Sequence, residues 1–317
     1  KLLKGFIGTA NIDTNSRLCM ASSVAGHKRA FGSDTVPGRY EDFEQADLVV
    51  LVGSNLAWCH PVLFQRLEAA KRARPSMRVV VVDPRRTETC DIADLHLALR
   101  PGSDVALFNA LLVALHDRGA IDRAFVAQHT DGLGAALAAA RATDVAACGL
   151  PSADLATFLD WVVRTERTVT LYSQGVNQSS AGVDKVNAIL NGHLLTGRIG
   201  RPGMGPFSIT GQPNAMGGRE VGALATTLAA HMDFAAADVA RVGRFWNSDR
   251  VASRPGLKAV DLFEAVRDGR IKAIWIMATN PVDSLPDADA VRAALQACPL
   301  SIVSEAVRRT DTVDACR

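Results

Sequence analysis

Ala46-Asp47-Leu48-Val49-Val50-Leu51-Val52-Gly53-Ser54-Asn55 is a short, β-branched apolar run that ends in a turn signal. Apolar residues without alternation mark a strand buried on both faces, the pattern of a parallel sheet. From Pro61 to about Ala73, Val62, Leu63, Leu67 and Ala70 fall at helical spacing, with proline in the first turn, where its missing N–H is harmless. Met77-Arg78-Val79-Val80-Val81-Val82-Asp83 is a second run of the same kind. Strand, helix, strand at this spacing is a βαβ unit with a right-handed crossover.

Leu95 to Leu99 reads as a third short strand and Asp104 to about His116 as a helix. Residues 119–165 read as alanine-rich helix that covers the sheet, with Asp122 and Ser152 as N-caps. Thr168 to Tyr172 is the next strand and Gly182 to Leu195 the next helix. The glycine- and proline-dense stretch 197–218 reads as a long irregular segment, and such segments inside a compact domain are usually functional. A second α/β unit begins near Val260: a helix to Asp268, a strand Ala273–Met277, a helix Asp287–Ala297 and a strand Leu300–Glu305. Two strands do not complete a sheet, so this second unit is expected to be partial.

At 317 residues, 48% hydrophobic and 21% charged, the chain has ample length for a core, and its formal net charge of +2 does not call for nucleic acid or an anionic membrane. No run of eighteen apolar residues is present. The six cysteines have no repeated spacing, which fits a reducing compartment better than a disulfide framework.

In open parallel sheets ligands bind beyond the carboxyl ends of the strands. The loops there carry Gly53-Ser54-Asn55, Asp83 to Thr87, Gly175 to Gln178, Asn280 to Ser284, and Ser304-Glu305. Glycine lets backbone approach a phosphate, Asp83 suits a guanine or ribose, and Arg85 and Arg100 suit phosphates. Gly-x-Gly-x-x-Gly is absent from the strand ends, which argues against a plain nicotinamide fold. Cys19 stands alone among hydroxyl and amide side chains, without the paired ligands of zinc. It suits a nucleophile, a single ligand to a metal otherwise held by a cofactor, or a buried thiol. His60, beside Cys59, reads as packing or a cofactor contact.

The run Asn15-Ser16-Arg17-Leu18-Cys19-Met20-Ala21-Ser22 resembles the molybdenum-ligand motif of nitrate reductases in the molybdopterin (bis-molybdopterin guanine dinucleotide) oxidoreductase family, most closely the assimilatory branch. Formate dehydrogenases of that superfamily typically place His where Met20 stands. Val52 to Ala57, Asp83 to Thr87, Arg100-Pro101-Gly102-Ser103-Asp104, Gln174 to Gln178 and Thr279-Asn280-Pro281 resemble the family's guanine dinucleotide contacts, in the family's order. Gly211 to Glu220 resembles its segment lining the molybdenum centre.

The resemblance implies two open, mostly parallel Rossmann-like α/β domains of the DMSO reductase-like fold, at 1–225 and 226–317, with the family's N- and C-terminal domains outside this chain. It implies bis-molybdopterin guanine dinucleotide with molybdenum bound by Cys19. Met20 and Met216 would narrow the pocket and Arg219 would steer nitrate, a planar anion matched by a planar guanidinium. Cofactor contacts are expected from Asn15, Gly53, Ser54, Asn55, Asp83, Arg85, Thr87, Gly102, Asp104, Gln174, Gln178 and Gln212, with a second dinucleotide near Asn280, Ser304 and Glu305. The implied reaction is reduction of nitrate to nitrite by oxygen-atom transfer. Electrons would come from ferredoxin, flavodoxin or a NAD(P)H-linked reductase through a [4Fe-4S] cluster expected only N-terminal to this chain. A formate dehydrogenase-like enzyme and a non-catalytic relative are the alternatives.

Overall fold

The computed structural model of the protein describes residues 1–212 and 214–316, so Pro213, inside the Gly211 to Glu220 stretch, lies outside it. The chain forms two compact units, Cys19–Pro213 and the combination of Lys1–Leu18 with Asn214–Arg317. The boundary expected at residue 225 falls inside the unit that resumes at Asn214.

In the unit Cys19–Pro213, the apolar runs form β1 (Leu48–Val52), β2 (Arg78–Val82), β3 (Leu95–Leu97) and β4 (Thr168–Tyr172), joined by β5 (Gly205–Ser208). The five are parallel, in the order β3-β2-β1-β4-β5. Every residue of β1 is buried, because alternate side chains feed two cores. Leu48, Val50 and Val52 pack with Leu107, Leu111 and Ile189 of the helices Asp104–Asp117 and Gly182–Leu195. Val49 and Leu51 pack on the opposite side with Phe43, Met77 and Leu67 of the helix Pro61–Ala73. Helices on both faces account for the absence of alternation in the sequence.

β5 corrects the reading of 197–218 as wholly irregular. It pairs with β4 at the sheet edge, where Pro206 is tolerated because its lack of an N–H breaks no inner ladder. Asp122 caps the helix Arg123–His129 as expected, its Oδ1 accepting from Phe125 N at 2.9 Å. Ser152 is instead the first residue of its helix, after Pro151 at the N-cap, and makes no capping bond.

His193, on the helix Gly182–Leu195, reaches β4, with Nε2 on Thr170 Oγ1 at 2.9 Å and Nδ1 on the Arg198 carbonyl oxygen at 3.1 Å. Burial, reinforced by the Arg198 charge, lowers its pKa to about 3. The unfolded chain therefore takes up a proton near pH 6.5 that the folded chain refuses. Stability is expected to fall as pH drops from 6.5 toward 3, by about 1.4 kcal/mol per pH unit, and not to depend on this group above 6.5. Urea midpoints at pH 7 and pH 5, compared with those of His193→Gln, measure that increment; an equal acid loss in the variant would assign it elsewhere.

In the other unit, β6 (Ala273–Met277) and β7 (Leu300–Ser304) are parallel, and Ile274 and Ile276 of β6 pack with Phe263 of the helix Ala259–Arg267 and Val291 and Leu295 of the helix Ala288–Ala297. The N-terminal segment is tied into this unit by two buried charges. Lys4 Nζ donates to the carbonyl oxygens of Gly222, Leu224 and Thr227 at 2.6, 2.5 and 2.6 Å. Asp13 accepts from Arg17 Nε at 2.9 Å, Ala225 N at 3.1 Å and Ala259 N at 3.0 Å.

Candidate active site

The loops after β1 and β4 meet backbone to backbone. Gly53 has φ +54°, and a Cβ there would lie 2.7 Å from Gly175 Cα, while one on Gly175 would lie 2.6 Å from Gly53 Cα. Gly175 N donates to the Gly53 carbonyl oxygen at 3.0 Å. No larger residue fits either position, so Gly53→Ala is expected to lose at least about 2 kcal/mol, read as a lower urea midpoint. An unchanged midpoint would mean that the two loops can separate freely.

Cys19 ends the single helical turn Ser16–Cys19, and the helix Ala21–Phe31 follows. This helix is fastened to the β4 loop by Asn177. Asn177 Oδ1 accepts from Ser23 N at 2.9 Å and Ser23 Oγ at 2.7 Å, and its carbonyl oxygen accepts from Ser22 Oγ at 2.7 Å. Asn177 Nδ2 donates back to the Ser173 carbonyl oxygen at 2.9 Å. A Cβ on Gly182 would lie 2.3 Å from Ser22 Oγ, so glycine there admits the close approach.

This bracing sets Cys19 opposite Gln174. Gln174 Nε2 donates to Cys19 Sγ at 3.1 Å and lies 3.8 Å from Met20 Sδ. Thr210 Oγ1 is 3.7 Å from the same Sγ and donates to Gln212 Oε1 at 3.4 Å. Met20 is buried, whereas Cys19 is partly exposed. The result is a partly exposed thiol that faces the Gln174 amide and the Thr210 hydroxyl.

Beyond β1 and β2, several polar atoms are buried without a hydrogen-bond partner among the described residues: Ser54 Oγ, Thr87 Oγ1 and both ring nitrogens of His60. Buried polar groups are normally satisfied, so each of these atoms is free to meet a ligand. Asp83 Oδ1 accepts from Arg85 N at 2.9 Å, while the Arg85 side chain is exposed. Gly102, at φ +88°, and Gln178 are exposed.

Two expected cofactor contacts are engaged within the protein. Asn55 Oδ1 accepts from Thr89 Oγ1 at 3.0 Å, bracing the loop. Asp104 forms a 2.7 Å ion pair with Lys185, with side-chain exposures of 9% and 5%, and Lys185 Nζ also donates to the Gly175 carbonyl oxygen at 3.3 Å.

The remaining expected residues belong to the other unit. Arg219 is buried, 7% exposed, with Nη2 on Met216 Sδ. Asn15 is exposed. Asn280 Oδ1 accepts from Thr312 N at 3.1 Å and Thr312 Oγ1 at 2.6 Å, fixing the loop after β6. Ser304 Oγ accepts from Trp275 Nε1 at 2.9 Å, and Glu305 Oε1 accepts from Ala306 N at 2.7 Å.

Sequence reasoning missed Thr210 and Lys185. Thr210 directly precedes the Gly211 to Glu220 stretch, which was its only signal. Lys185 is one charge on a mostly apolar helix, a weak hint of a buried partner.

The molybdopterin oxidoreductase family model matches residues 1–316. A nitrate reductase of Klebsiella oxytoca is 59% identical over 316 residues, covering 98% of this chain and 36% of that protein. A nitrate reductase of Shewanella frigidimarina is 50% identical over 318 residues, covering 98% of this chain and 34% of its own length. This chain thus spans about a third of each of these relatives. Acetylene hydratase from Pelobacter acetylenicus aligns over 98% of this chain and 45% of its own with a TM-score of 0.73 at 15% identity, a likeness of fold alone.

Proposed function

Because the chain belongs to the molybdopterin oxidoreductase family, with that family's mixed α/β fold, we propose that it is part of the catalytic subunit of a molybdenum-dependent nitrate reductase. The observation that carries this reading is the placement of Cys19: a partly exposed thiol whose Sγ faces the Gln174 amide and the Thr210 hydroxyl. A soft thiolate in a braced polar wall suits a metal that a cofactor otherwise holds.

The residues present fit such a group. The glycine pair Gly53 and Gly175 lets the loops after β1 and β4 approach, and Ser54 Oγ, Thr87 Oγ1 and the His60 ring, in segments after β1 and β2, offer unsatisfied polar atoms. In this reading Cys19 holds the metal, the loops bearing Gly53, Asp83 and Arg85 hold one guanine dinucleotide, and the Asn280, Ser304 and Glu305 side holds the other. When bound, the cofactor supplies two-electron oxygen-atom transfer, a chemistry no side chain performs. Met20 excludes water beside the sulfur, and Arg219 supplies a permanent positive charge for a planar anion. Nitrate takes up two electrons and two protons and leaves as nitrite and water. Assimilation in the cytoplasm, with ferredoxin, flavodoxin or a NAD(P)H-linked reductase as donor, is the finer form of the proposal, supported by the run Asn15 to Ser22.

The test is turnover by the full-length enzyme with dithionite-reduced viologen. Nitrite formation from nitrate, with no oxidation of formate, is the expected result. Formate oxidation without nitrate reduction would select the formate dehydrogenase-like reading instead.

A further inference from the structure

Gln174 is held from several directions. Its Oε1 accepts from Ser173 Oγ, and its carbonyl oxygen accepts from Gln178 N at 2.8 Å. The adjoining Gly175 N donates to the Gly53 carbonyl oxygen at 3.0 Å, and the Gly175 carbonyl oxygen accepts from the buried Lys185 at 3.3 Å. With its oxygen facing Ser173 Oγ, whose proton is shared with the Ile209 carbonyl oxygen at 3.1 Å, the amide presents Nε2 to the sulfurs, 3.1 Å from Cys19 Sγ. A metal-bound thiolate has no proton to give and can only accept, so this orientation is also the one the loaded site requires.

Resting on the reading above, we propose that Gln174 is a positioning residue that tunes the metal through Cys19: its amide N–H draws electron density from the thiolate and raises the reduction potential of the bound metal. This differs from the dinucleotide contact expected from the sequence. Hydrogen bonds to ligating sulfur raise potentials because they offset the charge that the ligand would otherwise donate to the oxidised metal. The rigid loop matters, since a freely rotating amide would spend part of its time turned away.

The experiment uses the full-length enzyme as wild type, Gln174→Met and Gln174→Glu, with molybdenum content and the metal's midpoint potential read by EPR-monitored redox titration. Both variants keep the side chain's length and remove the N–H donor. The expected result is metal retained in both, with the midpoint potential lower than wild type in Gln174→Met and lower still in Gln174→Glu, where a carboxylate faces the sulfur. A metal-loaded Gln174→Met at the wild-type potential overturns the proposal while leaving the reductase reading intact. A wild-type enzyme that holds no molybdenum overturns both. A measurement that needs no variant is the resonance Raman metal–sulfur(cysteine) stretch of the wild type, expected to shift on exchange into D2O; a band that does not move also overturns the proposal.

Discussion

Cys19→Ser in the full-length enzyme is expected to lower nitrate reduction by more than about a hundred-fold, since even outer-shell partners of metal ligands are worth 10- to 100-fold and Cys19 is read as the ligand itself. Serine preserves shape but replaces a soft, readily ionised sulfur with a hard hydroxyl that stays protonated at neutral pH. Stability should barely respond. Cys19 is partly exposed and, among the described residues, its sulfur has hydrogen-bond contacts with Gln174 and Thr210, so the unfolding free energy is expected to change by less than about 1 kcal/mol. The combination is diagnostic: a buried structural thiol would show the reverse, a stability loss with activity kept. Steady-state assay beside a urea titration reads both.

Lys185→Met carries the largest expected loss of stability. Lys185 and Asp104 form a 2.7 Å pair with side-chain exposures of 5% and 9%. Removing the ammonium leaves a buried carboxylate without its counter-ion, which costs about 3–5 kcal/mol. Adding Asp104→Asn should restore much of the loss, because the uncompensated charge goes with it. The urea midpoints of both single variants and the double variant close the cycle, and simple additivity would show that the pair is not coupled. The change should also reach the site, since Lys185 holds the Gly175 carbonyl oxygen in the loop that aims Gln174 at Cys19.

The sheet was legible where chemistry is local. The β1 and β2 runs are continuous and β-branched because both of their faces are covered, and a run of that kind needs no distant information to be read. β5 was hidden because Gly205 and Pro206 carry turn signals, and only its place at the edge beside β4 makes such a strand possible. Lys4 and Asp13 were illegible for a related reason. Their partners at 222–227 and at 225 and 259 are more than two hundred residues away, and no short-range periodicity records such contacts.

The site divides in the same way. Cys19 stood out as a lone thiol among hydroxyls and amides, and Gly53 stood out as the glycine closing a strand. Gln174 and Gly175 stood out too, but as cofactor-loop residues and not as the partners of Cys19 and Gly53. Gln174 lies 155 residues from Cys19, and Asp104, expected as a ligand contact because the run Arg100 to Asp104 resembles the family's dinucleotide contacts, pairs with Lys185. A carboxylate next to a glycine turn looks alike in sequence whether it faces a ligand or a lysine; only the packing of the helices Asp104–Asp117 and Gly182–Leu195 decides.

The most direct measurement is molybdenum X-ray absorption on the full-length enzyme, wild type beside Cys19→Ser. Metal ligation by Cys19 predicts one fewer sulfur neighbour around molybdenum in the variant, with the pterin sulfurs retained. An identical sulfur shell in the two proteins would contradict the assignment of Cys19 as the metal ligand.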